Sequence, residues 1–333
     1  MTERNITLAH GNGGRLMREL IEQVFAERLG ELAPDTRLDA AELPWAAGRL
    51  LVSTDGFTVQ PLEFPGGSIG SLAVHGAVND LAVSGGRARF LTVAAIIEEG
   101  LALDVLERIV ADLAEAARGC GVRVVAGDTK VVPRGEGSGL YLTVTGLGER
   151  LPGPVLGMDA IRPGDAVLVS GPVGDHGAAV MLAREAFGLR AALKSDSASV
   201  LSLAQAAMAF EGLRFMRDPT RGGLATVMHE IAAATGLGVR LFEEALPVCP
   251  EVAGVCELLG FDPLFLACEG RVVALVAPQH AQALLDAWRA LPEGEGAAII
   301  GRIESTPAWV VLETELGERL LPELVEDPLP RIC

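Results

Sequence analysis

Two α/β domains followed by an extended arm is the architecture this sequence predicts, and three observations predict it. A chain of 333 residues is long enough for two ordinary domains. Half of its residues are hydrophobic, only 4% are aromatic and 40 are glycine, a mix that suits Ala/Val/Leu-rich sheets and helices joined by tight turns. Apolar runs of strand length alternate with helix-like stretches through two successive units. After the second unit comes a segment carrying Pro322, Pro328 and Pro330.

The first unit opens on a polar, Gly-rich stretch ending "HGNGG". From Arg15 the pairs Leu16/Met17, Leu20/Ile21 and Val24/Phe25 recur every four residues and predict a helix. "LLVSTDGF" predicts a short strand running into Asp55 and Gly56. "FPGGSIGSLAVHGAVNDLAVSGG" predicts a glycine-bounded apolar helix with Asn79 and Asp80 near its end. "RFLTVAAII" predicts a buried strand, and residues 103–118 an amphipathic helix stopped by Gly119. "VRVVAGDTKVV" predicts a strand that breaks at Gly127, and "GLYLTVTGLGE" a further strand. "LPGPVLGMDAIRPGD" predicts a linker.

"AVLVSG" opens the second unit, with helices expected at 176–188, 196–210, 222–234 and 278–290. Its other strands are expected at 238–242, 270–277, 297–303 and 309–313. The expected organisation is a Gly-rich segment and helix over 1–48, a first domain over 49–150, a second over 160–315 and an arm over 322–333.

Charge and cysteine usage exclude several classes. A net charge of −17 repels phosphate backbones and anionic membranes, so neither nucleic acid nor a membrane is an expected partner. The longest charge-free apolar stretches are too short and broken to span a bilayer, and no signal peptide is visible. Five cysteines with no CxxC pair read as a reduced cytoplasmic protein. The Walker A and GxSxG patterns are absent, there is no convincing Rossmann fingerprint, and the histidines lack metal-ligand spacing.

Chemistry is expected at a few places. Asp55, Asp80 and Asp128 are carboxylates flanked by small residues. Taken singly, such an aspartate often serves a turn or cap. Asp80, inside an apolar helix, has no turn to serve, and a buried carboxylate needs a cation or several donors. Oxygen ligands beside Gly-rich loops suit Mg²⁺ carrying a nucleotide triphosphate. The loops at Gly13–Gly14 and Gly66–Gly67 each precede a helix, where backbone N–H groups attract phosphate. "GDTK" brings Asp128, Thr129 and Lys130 together after a strand. "GDHG" (174–177), "RDPTRGG" (217–223) and Glu269 in "CEG" stand out in the second unit. Cys333 places a thiol on the last residue, a frayed and oxidisable position unless it has a use.

Taken in order, "HGNGG", "STDGF", "FPGGSIG", Asn79–Asp80 with "AVSG", "GDTKVV", "GDHG", "RDPTRGG" and the terminal "PRIC" resemble the HypE family of hydrogenase maturation proteins from His10 to Cys333. The internal motifs are similar to those of the wider superfamily of aminoimidazole ribonucleotide synthetase (PurM) and selenophosphate synthetase. "PRIC" is the specific mark of HypE proteins. The resemblance implies a two-domain PurM-like α/β (α+β) fold, a homodimer in which the N-terminal sheets pair across the interface, and a flexible C-terminal tail. It implies ATP and Mg²⁺ as cofactors, with Asp55, Asp80 and Asp128 as metal carboxylates. Gly13, Gly14, Gly66, Gly67, Asn79, Asp80, Asp128 and Thr129 would bind the nucleotide, and Cys333, Lys130 and Glu269 would be catalytic. The sequence departs from the family around Glu269, where "CEGR" replaces an expected Asn before the glutamate and Lys after the glycine.

The implied reaction is ATP-dependent dehydration of an S-carbamoyl group on Cys333 to a thiocyanate, for the cyanide ligands of the nickel–iron centre. HypF would supply the carbamoyl group, and a HypC–HypD complex would accept the cyano group. An arm from Pro322 spans about 35–40 Å when extended, enough to visit several pockets. Arg331 would offset the charge of the terminal carboxylate beside the thiol. Two alternatives remain on the sequence alone: another ATP-dependent PurM-like kinase or synthetase, and a non-catalytic carrier that only presents Cys333.

Overall fold

The structure, a computed structural model, describes residues 14–20, 22, 41–45, 48–184, 192–325 and 332–333. Gly13 and Arg331 lie outside the described residues. The chain begins with α1 (Gly14–Leu20). The strands β1 (Ala41–Trp45) and β2 (Gly48–Phe57) pair antiparallel. A two-stranded ribbon, β3 (Glu63–Phe64) and β4 (Gly67–Ser68), then leads into α2 (Ile69–Val83). Next come β5 (Gly86–Glu98), α3 (Leu103–Gly119), β6 (Arg123–Val132) and β7 (Leu140–Arg150). The sheet runs β1-β2-β7-β5-β6, antiparallel except for the parallel pair β5/β6.

Period-two burial fixes the faces of this sheet. In β2, Leu51, Ser53 and Phe57 are buried while Thr54 and Gly56 are exposed. The inner face is covered by α2, which packs on β2, β5 and β7. α2 is buried on nearly every side because the helix at 103–119 and the second domain's helix at 201–208 cover what the sheet does not. The strand expected to break at Gly127 runs through it, with an irregularity at Leu91/Thr92 of the partner strand. Glycine is needed there because a Cβ would sit 2.7 Å from the Val93 carbonyl oxygen.

The second domain comprises β8 (Ala166–Val169), α4 (Asp175–Ala183), α5 (Leu201–Met208), β9 (Leu213–Arg217), α6 (Gly223–Thr235) and β10 (Gly238–Phe242). It continues through α7 (Pro250–Leu259), β11 (Val273–Val276), α8 (Pro278–Arg289), β12 (Ala298–Glu304), β13 (Val310–Thr314) and β14 (Gly317–Leu320). Its sheet runs β14-β13-β10-β12-β8-β11-β9. The helix expected from 196 starts only at Leu201, because residues 196–200 form no regular element and are bonded to both domains. β9, α7 and β14 went unpredicted.

One apolar core runs through the domain junction: Phe57, Phe64, Leu72 and Val144 of the first domain meet Ala178, Val180, Leu266 and Ala267 of the second. The arm is tied at both described ends. At its start, Arg15 N–H donates to the Leu324 carbonyl at 3.0 Å and Arg18 pairs with Glu323. At its end, Ile332 is buried in the junction core. Among the described residues, no helix is long and apolar enough to cross a membrane.

Candidate active site

The inner face of β2 and the buried helix α2 meet the second domain where the chemistry-bearing side chains gather. Alternation puts Ser53 and Asp55 on that face, and the Ser53 hydroxyl donates to Asp80 Oδ2. One turn of α2 away, His75 Nδ1 lies 3.0 Å from Ser197 Oγ, and burial pushes its pKa down to about 4, so the ring stays neutral. Asn79, expected among the nucleotide-binding residues, spends its amide on the second domain. Its Nδ2 donates to the carbonyls of Ala198 (2.9 Å) and Glu269 (3.2 Å), and Val200 N–H donates to its Oδ1 (2.9 Å). It bolts the segment carrying Glu269 onto α2.

That segment is tightly determined. The N–H groups of Glu269 and Gly270 donate to the Asp196 carboxylate at 3.1 and 3.3 Å. A Cβ on Gly270 would stand 1.9 Å from the Asp196 carbonyl oxygen, which explains the glycine. Arg271, the departure noted above, ties the neighbouring loops together. Its Nε donates to the Pro172 carbonyl at 2.9 Å and lies 3.4 Å from Asp196, while its Nη2 lies 3.4 Å from Asp175.

Glu269 is buried, and its Oε1 has no hydrogen-bond partner among the described residues. Burial pushes its carboxyl well above the usual range; Asp218 and Asp196 add to this and Arg221 opposes it. Besides Arg271, Arg221 is a second cation at this junction. Cys333 first, then Asp55, Glu269 and Asp80, raise its pKa against the effect of burial. Sequence reasoning noticed Arg221 within "RDPTRGG" but did not place it beside Cys333. Nothing local signals a neighbour so far along the chain.

Cys333 arrives at the same place. Thr58, directly after β2, donates to its main-chain oxygen from both N–H (3.2 Å) and Oγ1 (3.3 Å). His176 Nε2 lies 2.7 Å from the Ile332 carbonyl oxygen. Asp55, Asp80, Glu269, Arg221 and Cys333 therefore converge.

The remaining expected residues lie elsewhere. Asp128, Thr129 and Lys130 are exposed on the edge strand β6, where Lys130 pairs with Asp128 at 3.2 Å. Across the sheet Asp55 aligns with Val144, Val93 and Gly127, whereas Asp128 aligns with Ala94, Thr143 and Gly56. Asp55 and Asp128 therefore point to opposite faces, and three inter-strand steps put them about 14 Å apart. One ion cannot be held by both within a single chain. Among the described residues, no group of three or more His, Cys, Asp or Glu is arranged to hold a metal. Gly66 lies in the turn between β3 and β4 and abuts the backbone of Ser195, and Gly67 opens β4. Gly14 opens α1.

A two-domain fold whose junction encloses carboxylates and an arginine defines an AIR synthase related protein. The family profile for the N-terminal domain of AIR synthase related proteins matches residues 38–149, and that for the C-terminal domain residues 162–311. Carbamoyl dehydratase HypE of Azotobacter vinelandii is 45% identical over 332 residues, 99% of this chain and 97% of that protein. The crystal structure of hydrogenase maturation protein HypE in complex with ATP is 44% identical, covers 98% of this chain and 100% of its own, and superposes with a TM-score of 0.82. A HypE–HypF complex structure gives 0.86 at 41% identity, covering 92% of this chain and 99% of that one. The chain belongs to the carbamoyl dehydratase HypE family.

Proposed function

We propose that this protein is an ATP-dependent carbamoyl dehydratase acting on its own C-terminal Cys333 in hydrogenase maturation. The observation that carries the proposal is the docking of Cys333 at the junction beside Arg221, a cation shared with Glu269, Asp55 and Asp80. A mere carrier has no use for a buried glutamate that shares an arginine with its own terminal cysteine, and a small-molecule kinase has no use for the thiol.

The residues fit a nucleotide with a divalent cation. Mg²⁺ takes one or two carboxylates together with phosphate oxygens, and Asp55 and Asp80 are the pair that would hold it. ATP supplies the phosphoryl group that turns the amide oxygen of the S-carbamoyl group into a leaving phosphate, so that S–C(=O)–NH₂ becomes S–C≡N with ADP and phosphate as the other products. In its ionised form Glu269 takes one amide proton as the oxygen is phosphorylated and, once it has passed that proton on to solvent, takes the second as phosphate leaves; the raised pKa makes that ionised form scarcer but a stronger base than an ordinary carboxylate. Arg221 faces the negative charge that gathers on the oxygen. Thr58 keeps the terminal carboxylate in place while this happens.

Lys130 and Asp128 reach a site only from a second copy of the chain. Both belong to the exposed face of a sheet whose edge strand leaves Val124, Val125 and Val131 in solvent, an edge that invites pairing. A homodimer joined through these sheets would carry Lys130 of one protomer to the thiol of the other. Carbamoyl transfer onto Cys333 falls to a HypF protein and cyano transfer to a HypC–HypD complex, each of which needs the arm to leave the pocket.

The test is the intact mass of the C-terminal peptide after incubation with a HypF carbamoyltransferase, carbamoyl phosphate and Mg·ATP. The parent chain is expected to pass from a carbamoyl to a cyano adduct on Cys333, losing one water. Glu269→Ala is expected to stop at the carbamoyl adduct. No adduct at all with an active HypF refutes the proposal.

A further inference from the structure

The "GDHG" stretch takes no part in the chemistry above, yet it supplies the residue that grips the arm. His176 sits in the first turn of α4, fully buried. The Ile332 carbonyl oxygen, 2.7 Å from Nε2, can only accept a hydrogen bond, so Nε2 carries the proton. Nδ1 is then an acceptor, and the Ser195 hydroxyl donates to it at 2.7 Å. Ser195 Oγ in turn accepts from Ser197 N–H at 3.0 Å, which leaves its own proton for the histidine. Phe64 closes the ring edge-on at a centroid distance of 5.4 Å. The ring is thus neutral, in one tautomer and one orientation, and its burial lowers the pKa further.

Both domains hold this receptor. Ser195 N–H donates to the Pro65 carbonyl at 2.8 Å. A Cβ on Gly66 would come within 2.9 Å of the Ser195 backbone nitrogen, so the turn at 65–66 approaches this segment closely only because it carries a glycine. Thr58 holds the terminal carboxylate, and the Ile332 side chain is 3% exposed among junction residues. The last two residues are read at three points: one carbonyl, one carboxylate oxygen and one apolar side chain.

We propose that His176 is the positioning residue for the terminal cysteine: by anchoring the Ile332 carbonyl it fixes where the Cys333 sulfur stands relative to Glu269. Its effect on dehydration rests on the function proposed above; its grip on the arm does not. A neutral donor is suited to this task because it binds the arm without adding a charge near the thiol. Its own share of the grip is a single hydrogen bond, broken without separating charges when the arm leaves for a partner enzyme.

The experiment measures alkylation of Cys333 by iodoacetamide in the native full-length chain, read by mass spectrometry of the terminal peptide, with Cys120 followed in the same digest. No nucleotide or carbamoyl donor is present, so the result does not depend on the dehydratase reading. His176→Phe keeps an aromatic ring against Phe64 and lacks the donor. Loss of one net hydrogen bond is expected to raise the Cys333 rate on the order of three- to tenfold, with the Cys120 rate unchanged. His176→Gln, whose amide can reach the same carbonyl, is expected to restore most of the protection. An unchanged Cys333 rate in a folded His176→Phe protein overturns the proposal. So does a rise that is matched at Cys120, or one that His176→Gln fails to reverse. Ile332→Ala, which alters only the arm, is expected to raise the Cys333 rate as well. If His176→Phe does not fold, an unchanged rate in Ile332→Ala and Ser195→Ala overturns the proposal. In the dehydration assay, His176→Phe is expected to slow conversion while leaving the affinity for ATP unaltered.

Discussion

Glu269 carries a carboxyl that burial holds well above its ordinary pKa of 4.5. The native state therefore keeps a proton that the unfolded chain gives up, and stability falls as pH rises from 4.5 toward the folded value. Glu269→Gln keeps the shape and removes the ionisation. The urea midpoint of this variant is expected to exceed that of the parent at neutral pH, and the gap is expected to close as the pH is lowered toward 4.5. Equal midpoints at neutral pH would mean that the carboxylate is compensated by something other than Arg221. The same variant is expected to lose conversion of the carbamoyl group, since an amide cannot take the proton. A side chain that weakens the fold and has an unpartnered oxygen belongs to a site whose function outweighs its stability cost.

At the scale of elements, the 196–200 segment and the turn at 268–271 hold the site together without regular secondary structure. Gly270→Ala forces a Cβ into the Asp196 carbonyl and is expected to cost about 1–3 kcal/mol in urea unfolding. Activity is expected to fall as well, because the shift moves Glu269. A variant of parental stability and activity would contradict the packing described here. Much of this level was legible in the sequence. The short apolar runs located β2, β5 and β7, although β5 is mostly exposed or half-buried where a buried strand was expected, and the glycine-bounded apolar run located α2 within a few residues. What escaped were short elements and irregular segments. α7 starts at a proline, β9 is only five residues long, and residues 196–200 have helical composition but are held out of the helix by bonds to Asn79 and the Glu269 turn. In the last case tertiary hydrogen bonds overrode local pattern. Of the site, Asp55, Asp80, Glu269 and Cys333 were legible as residue types out of place. Arg221, Thr58 and His176 gained their roles only from contacts between distant parts of the chain.

For the whole molecule, one protomer brings together Asp55, Asp80, Glu269 and Cys333 of the residues that the family motifs suggest, with Asn79 bolted beside them. Lys130 sits on the far face of the sheet from Asp55, with Asp128 beside it. If a second copy supplies Lys130, Lys130→Ala and Glu269→Ala proteins, each inactive alone, are expected to complement on mixing. One intact site per heterodimer gives roughly a quarter of the parental rate after free exchange. Absence of recovery, with exchange confirmed, would place Lys130 outside the site. The arm gives the molecule its other degree of freedom. Its start is held by α1 and its last two residues by the junction, so processing at Glu269 and presentation to partners require it to dock and undock. The most direct test of the central claim follows the label itself. The chain is carbamoylated on Cys333 with ¹³C-carbamoyl phosphate, freed of the transferase, and observed by infrared spectroscopy as Mg·ATP is added. The account predicts that a ¹³C-shifted nitrile band grows as the amide band disappears, and that Glu269→Ala shows no such band. An amide band that persists while ATP is bound would contradict the claim that this chain dehydrates its own terminal cysteine.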